Sequence, residues 1–177
     1  MQRWRVPLGF ACAVIFFALG RPRPLTLLIG AVVALPGLAL RAWATGHLRK
    51  NDELATTGPY AYTRNPLYLG SFIIGLGFTI AAGRWVLSWV FLALFVGIYV
   101  PVMRVESQAL ATLFGDRYRD YRSNVPVFLP RLSPYLSDRA NARFDSNLYR
   151  RYREYRAALG LLVAWVLLAM KAVFFPG

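Results

Sequence analysis

Residues 85–103, WVLSWVFLALFVGIYVPVM, are 19 consecutive positions without a charge. A run of that length matches the roughly 20 apolar residues with which an α-helix crosses about 30 Å of hydrocarbon. Lipid offers no partner to a backbone N–H or C=O, so a crossing segment must satisfy these groups within the chain, and a run this long does so as a helix. Residues 25–43 form a second run of 19, broken only by Arg41 near its end. Residues 67–82 and 6–19 are shorter apolar segments, and residues 157–175 carry Lys171 near their end, where a lysine can snorkel to the interface. The pattern predicts an all-α, polytopic integral membrane protein with five crossings, folded as one membrane-embedded domain over residues 1–177. The first segment also has features of a signal peptide, a basic start (MQRWR) and a small-residue site (ALG). Because the chain reads from Met1, the segment is expected to be retained.

Charge sets the orientation. With five alternating crossings, all 21 basic residues except Arg21, Arg23, Arg84 and Lys171 fall on one side, together with all 8 acidic residues. The excess of basic residues assigns that side to the cytoplasm, and any chemistry with it. The opposite face has only the connectors GRPRP and AAGR. A net charge of +13 in such a chain points to anionic lipid headgroups rather than nucleic acid. The single cysteine, Cys12, lies in an apolar segment and reads as a packed small side chain, and one histidine, His47, leaves no clustered His or Cys metal site.

Beyond the fourth span, Leu110, Leu113, Phe114, Tyr118 and Tyr121 recur at three- and four-residue steps. This spacing predicts a helix that projects from the membrane and stops near Ser123 and Asn124, ahead of the prolines of NVPVFLPRLSP. SNLYRRYREYR reads as a basic amphipathic helix along the headgroups before the last span.

Two polar features need more than a structural reading. Glu106 lies at the membrane boundary, where an acid is a functional candidate unless it pairs with Arg104 or an arginine of the next turn. The stretch TTGPYAYTRNPLYLG, residues 56–70, places three tyrosines, Asn65 and two prolines at the mouth of the third span. TGP predicts a turn, and Pro66 disfavours helix at Asn65, so that span starts at Pro66 or Leu67. As structure alone the stretch is an aromatic belt and a helix start.

LATTGPYAYTRNPLYLG followed by VESQALATLFGDRYRDYRSNVPVFLP resembles the membrane methyltransferases grouped as isoprenylcysteine carboxyl methyltransferases and phospholipid N-methyltransferases. The resemblance covers about residues 52–130, in two blocks separated by a hydrophobic hairpin. It implies a helical membrane protein that binds S-adenosylmethionine, or its product S-adenosylhomocysteine, at the cytoplasmic face without a Rossmann domain. The GLG at residues 75–77 accordingly falls mid-span, where small residues serve helix packing.

Carried over by position, the resemblance puts Leu54 and Ala55 at the adenosine pocket and Tyr60 and Tyr68 against the cofactor. Asn65, Pro66 and Leu67 join the cofactor-binding set, with Asn65-Pro66 at the place of a family His-Pro. Glu106 matches the first of two glutamates. Asn65 replaces the histidine and Ser107 the second glutamate, which bears on the acceptor more than on the cofactor.

Methyl transfer from a sulfonium needs chiefly proximity and alignment, so few catalytic side chains suffice. A carboxylate acceptor would require an orienting cation, for which Arg104 is nearest in sequence. An amine acceptor would require a base, for which Glu106 is the candidate. The missing histidine favours a carboxylate or another acceptor needing no histidine base. The implied partner is a lipophilic or lipidated substrate from the bilayer. Two alternatives stand beside this reading: a non-catalytic relative acting as a membrane binding protein, and an NADPH-dependent reductase of the sterol type.

Overall fold

The computed structural model describes residues 14–49, 52–136 and 143–175. Helix α1 spans Pro24–Thr45, α2 Pro66–Ala81, α3 Val86–Asn124, α4 Ser146–Arg151 and α5 Tyr155–Phe174, and among the described residues there is no strand. α1, α3 and α5 are long and apolar enough to cross a membrane, and α2 is a shorter apolar helix. The chain is therefore an all-helical, polytopic integral membrane protein. Of the expected first span, residues 14–19 are helical and residues 6–13 lie outside the described residues.

The helix starts follow the local chemistry. α1 begins at Pro24, whose missing N–H would be unpaired at that position anyway, and the Thr26 hydroxyl accepts from the Arg23 N–H at 2.9 Å. α2 begins at Pro66, with Asn65 outside helical geometry at φ −128° and ψ 56°, as the proline requires.

α1 and α2 pack at glycine contact distance. A Cβ built on Gly30 would sit 2.5 Å from the Gly77 carbonyl oxygen, and one on Gly37 would sit 2.7 Å from that of Gly70. In lipid, where apolar burial drives little association, such close backbone approach is a main source of helix pairing. α5 closes onto this pair through Trp165, whose Nε1 donates to the Leu27 carbonyl at 3.2 Å and whose ring lies 4.8 Å from Phe78. Lys171 does not only snorkel outward: its Nζ donates to the carbonyls of Phe17 and Ala18, at the end of the first helical segment.

The helix expected to project beyond the fourth span folds back instead. α3 is broken at Gly115, with φ 53° and ψ −126°. The Tyr118 hydroxyl donates to Ser107 Oγ at 2.7 Å, although 11 residues of continuous helix would separate them by about 16 Å along the axis. The limbs 86–114 and 116–124 therefore form a hairpin. Leu110, Ala111 and Phe114 from the first limb and Tyr118 and Tyr121 from the second share one core cluster with Val125, Leu54 and Tyr135. Leu113, part of the same sequence period, is 54% exposed. Gly115→Ala is expected to cost about 1–2 kcal/mol, the penalty of a Cβ in the left-handed region, and to lower the thermal midpoint measured in detergent.

The returning chain is fastened to the motif stretch of residues 56–70. The Arg64 N–H donates to the Pro126 carbonyl at 3.0 Å, Asn65 Nδ2 to Val127 at 2.7 Å and the Thr63 hydroxyl to Phe128 at 2.9 Å. Two further amides, of Arg131 and Tyr135, donate back to Tyr62 and Ala61 at 2.9 Å. The two sequence blocks thus meet backbone to backbone. SNLYRRYREYR is not one helix: α4 stops at Arg151, Arg153 adopts φ 55°, and α5 starts at Tyr155.

Candidate active site

Tyr68 occupies the first turn of α2, and Glu106 lies on α3 three residues past the end of the apolar run. The Tyr68 hydroxyl donates to Glu106 Oε1 at 2.7 Å. This bond joins the two sequence blocks through side chains, from the first turn of α2 to α3 just beyond its uncharged run. Among the described residues the ion pairs are Arg41–Glu154 and Arg119–Asp116, so Glu106 has no cationic partner there. Arg104 does not supply one. Two residues along a helix turn its side chain about 200° from Glu106, and it is exposed.

An aromatic lane leads from the spans to this pair. Phe95 stacks on Tyr99 at 4.5 Å between centroids, and Tyr99 lies 5.2 Å from Tyr68. Phe72 and Phe128 flank Phe95 at 4.9 and 5.8 Å. Ring faces of this kind hold apolar groups and attract cations.

Tyr60 sits in the turn that TGP predicts, a 3₁₀ segment Gly58–Ala61 entered through Gly58 at φ 57°. Its side chain is buried, and its carbonyl accepts from the Tyr121 hydroxyl at 2.7 Å. Burial raises the Tyr60 phenol well above its usual range, the charges of Glu106 and Tyr68 add to this, and Arg41 opposes it. Tyr60 thus stays neutral, with burial as the main cause.

The remaining expected residues have distinct places. Leu54 and Ala55 line a pocket of about 210 Å³ together with Gly46, His47, Thr57 and Arg143. Pro66 is buried at the start of α2, and the Leu67 carbonyl accepts from Arg41 Nη1 at 3.3 Å. Asn65 uses its side chain to fasten Val127 rather than to cap α2.

Arg41 and Glu154 are the pair that sequence reasoning missed. Arg41 Nε donates to Glu154 Oε1 at 2.6 Å, and its Nη1 donates to Ser71 Oγ at 2.6 Å. Arg41 was visible as an interruption of an apolar run, which is itself a signal of function or pairing. Glu154, 113 positions away inside an arginine-rich stretch, gave no sign of being its partner.

His47 Nδ1 lies 3.0 Å from Thr57 Oγ1, and burial lowers its pKa from the usual 6.5. The unfolded chain then binds the proton more readily, so this group contributes stability above pH 6.5 that is lost as pH falls toward the folded value. The thermal midpoint is expected to drop between pH 7 and 5, and to drop less in His47→Gln.

Residues 26–117 match the phospholipid methyltransferase family. Over 167 residues the chain is 30% identical to the cobalt-zinc-cadmium resistance protein CzcN of Cupriavidus metallidurans, covering 90% of this chain and 77% of that protein. It is 33% identical over 113 residues to the nickel-cobalt-cadmium resistance protein NccN of Alcaligenes xylosoxydans xylosoxydans, covering 63% of this chain and 51% of that one. With the protein-S-isoprenylcysteine O-methyltransferase of Schizosaccharomyces pombe it shares 36% identity over 81 residues, 46% of this chain and 34% of the enzyme. No solved structure matches the chain.

Proposed function

The chain belongs to the phospholipid methyltransferase family, and we propose that it transfers a methyl group from S-adenosylmethionine to a lipophilic acceptor at the cytoplasmic membrane boundary. The observation that carries this reading is the Tyr68–Glu106 bond: an anion at the membrane edge, oriented by a phenol, reached by a lane of aromatic rings and without an ion-pair partner among the described residues. Such a site fits a ligand that is cationic at one end and apolar or aromatic at the other.

S-adenosylmethionine, when bound, supplies an electrophilic methyl group on a sulfonium. In this reading Glu106 balances ligand charge, Tyr68 fixes the carboxylate, Leu54 and Ala55 contribute through the pocket they line beyond the end of α1, and Tyr60 with Asn65, Pro66 and Leu67 at the start of α2 completes the cofactor-binding set. The lane from Phe95 to Tyr99 keeps water from the approach of the acceptor. An anionic acceptor, a carboxylate above all, is favoured because Asn65 offers no titratable base and is fastened to Val127. An amine acceptor would instead use Glu106 as its base.

Calorimetric titration of the detergent-purified chain with S-adenosylhomocysteine, beside NADPH, tests the reading. Micromolar binding of the homocysteine compound is expected. A folded protein that binds neither would be a non-catalytic membrane relative, and one that binds NADPH alone would be a reductase.

A further inference from the structure

We infer that the strap of residues 125–136, which closes the α3 hairpin, is inserted into the headgroup and acyl boundary of the leaflet on the Glu106 side. Its occupant is lipid. Three observations place it there. Phe128 packs 5.6 Å from Phe72 and 5.8 Å from Phe95, rings carried by the apolar stretches of α2 and α3. Phe72 is six residues beyond Pro66, about 9 Å along the helix, so the strap drives one aromatic side chain to that depth.

The backbone beside Phe128 is held at the entrance of α2 by the bond from Asn65 Nδ2 to the Val127 carbonyl. Leu129 is 72% exposed and Leu132 103% exposed, while Arg131 is the only charge in residues 125–136. Leucines this bare on a water-facing loop would form an apolar patch that soluble surfaces avoid. Carried on a strap that Phe128 anchors among the apolar rings of α2 and α3, they form instead the apolar face of a monotopic element.

The inference rests on packing and holds whether or not the chain transfers methyl groups. It is tested with spin labels on Leu129→Cys and Leu132→Cys in the full chain, with Cys12 replaced by alanine, in phosphatidylcholine and phosphatidylglycerol vesicles. Asp116→Cys, beside the hairpin turn and 92% exposed at its side chain, serves as the aqueous reference. Collision with oxygen at the two strap positions should exceed collision with a water-soluble nickel chelate, with the ratio several-fold above that at position 116. Labels as open to nickel as at 116 would overturn the inference. Labels reached by neither relaxant would overturn it in favour of a protein contact, such as a second copy of the chain.

Discussion

Glu106→Gln is expected to weaken S-adenosylhomocysteine binding about 10- to 100-fold without lowering the thermal midpoint. A hydrogen bond to a charged group contributes about 1.5–3 kcal/mol, and each 1.4 kcal/mol is a factor of ten in affinity. The unchanged midpoint follows from the same geometry. Glu106 accepts from Tyr68 and has no ion pair among the described residues, so neutralising it removes an anion held at the membrane edge rather than breaking a pair. Tyr68→Phe keeps the carboxylate and loses its orienting donor, which should reduce binding about 5-fold, or about 1 kcal/mol. The two ligands separate the roles of the acid. If S-adenosylmethionine loses more affinity than S-adenosylhomocysteine, the carboxylate faces the sulfonium; equal losses place it at the ammonium group that both share. Wild-type affinity in Glu106→Gln would remove Glu106 from the site.

The parts of this molecule that were legible in its sequence are those set by local chemistry. Long apolar runs became spanning helices because lipid leaves the backbone no other partner. Pro66 fixed the start of α2, and the prolines beyond Asn124 fixed the end of α3. The hairpin at Gly115 was not legible, because both limbs turn the same residue period into the same core: Leu110 and Phe114 approach it from one side, Tyr118 and Tyr121 from the other. Periodicity reports a face and not a direction. A lone glycine inside that period was the available signal, and the exposure of Leu113 is its consequence. Arg104 is not the ion-pair partner of Glu106 for a related reason, since two residues apart in sequence is near-opposition on a helix. The Tyr68–Glu106 pair was within reach because each residue stood at a predicted boundary on the same side of the membrane.

Arg41→Ala is expected to destabilise the fold by about 3 kcal/mol, a fall in thermal midpoint on the order of 10 °C in detergent. The side chains of Arg41 and Glu154 are 23% and 10% exposed. Breaking a buried pair by removing one partner leaves the other charge without compensation, a loss of about 3–5 kcal/mol when burial is complete, and the residual exposure here puts the value at the low end. The converse change should do less. Arg41 also donates to the Leu67 carbonyl and to Ser71 Oγ, so after Glu154→Gln its guanidinium keeps two acceptors, and the loss is about 1 kcal/mol. Equal losses in the two variants would mean that only the attraction between the charges matters. The unequal result would identify Arg41 as the tie between α1, the first turn of α2 and the entrance to α5. Because that turn carries Tyr68, Arg41→Ala should also weaken S-adenosylhomocysteine binding at a temperature where the variant is still folded, and Glu154→Gln should not.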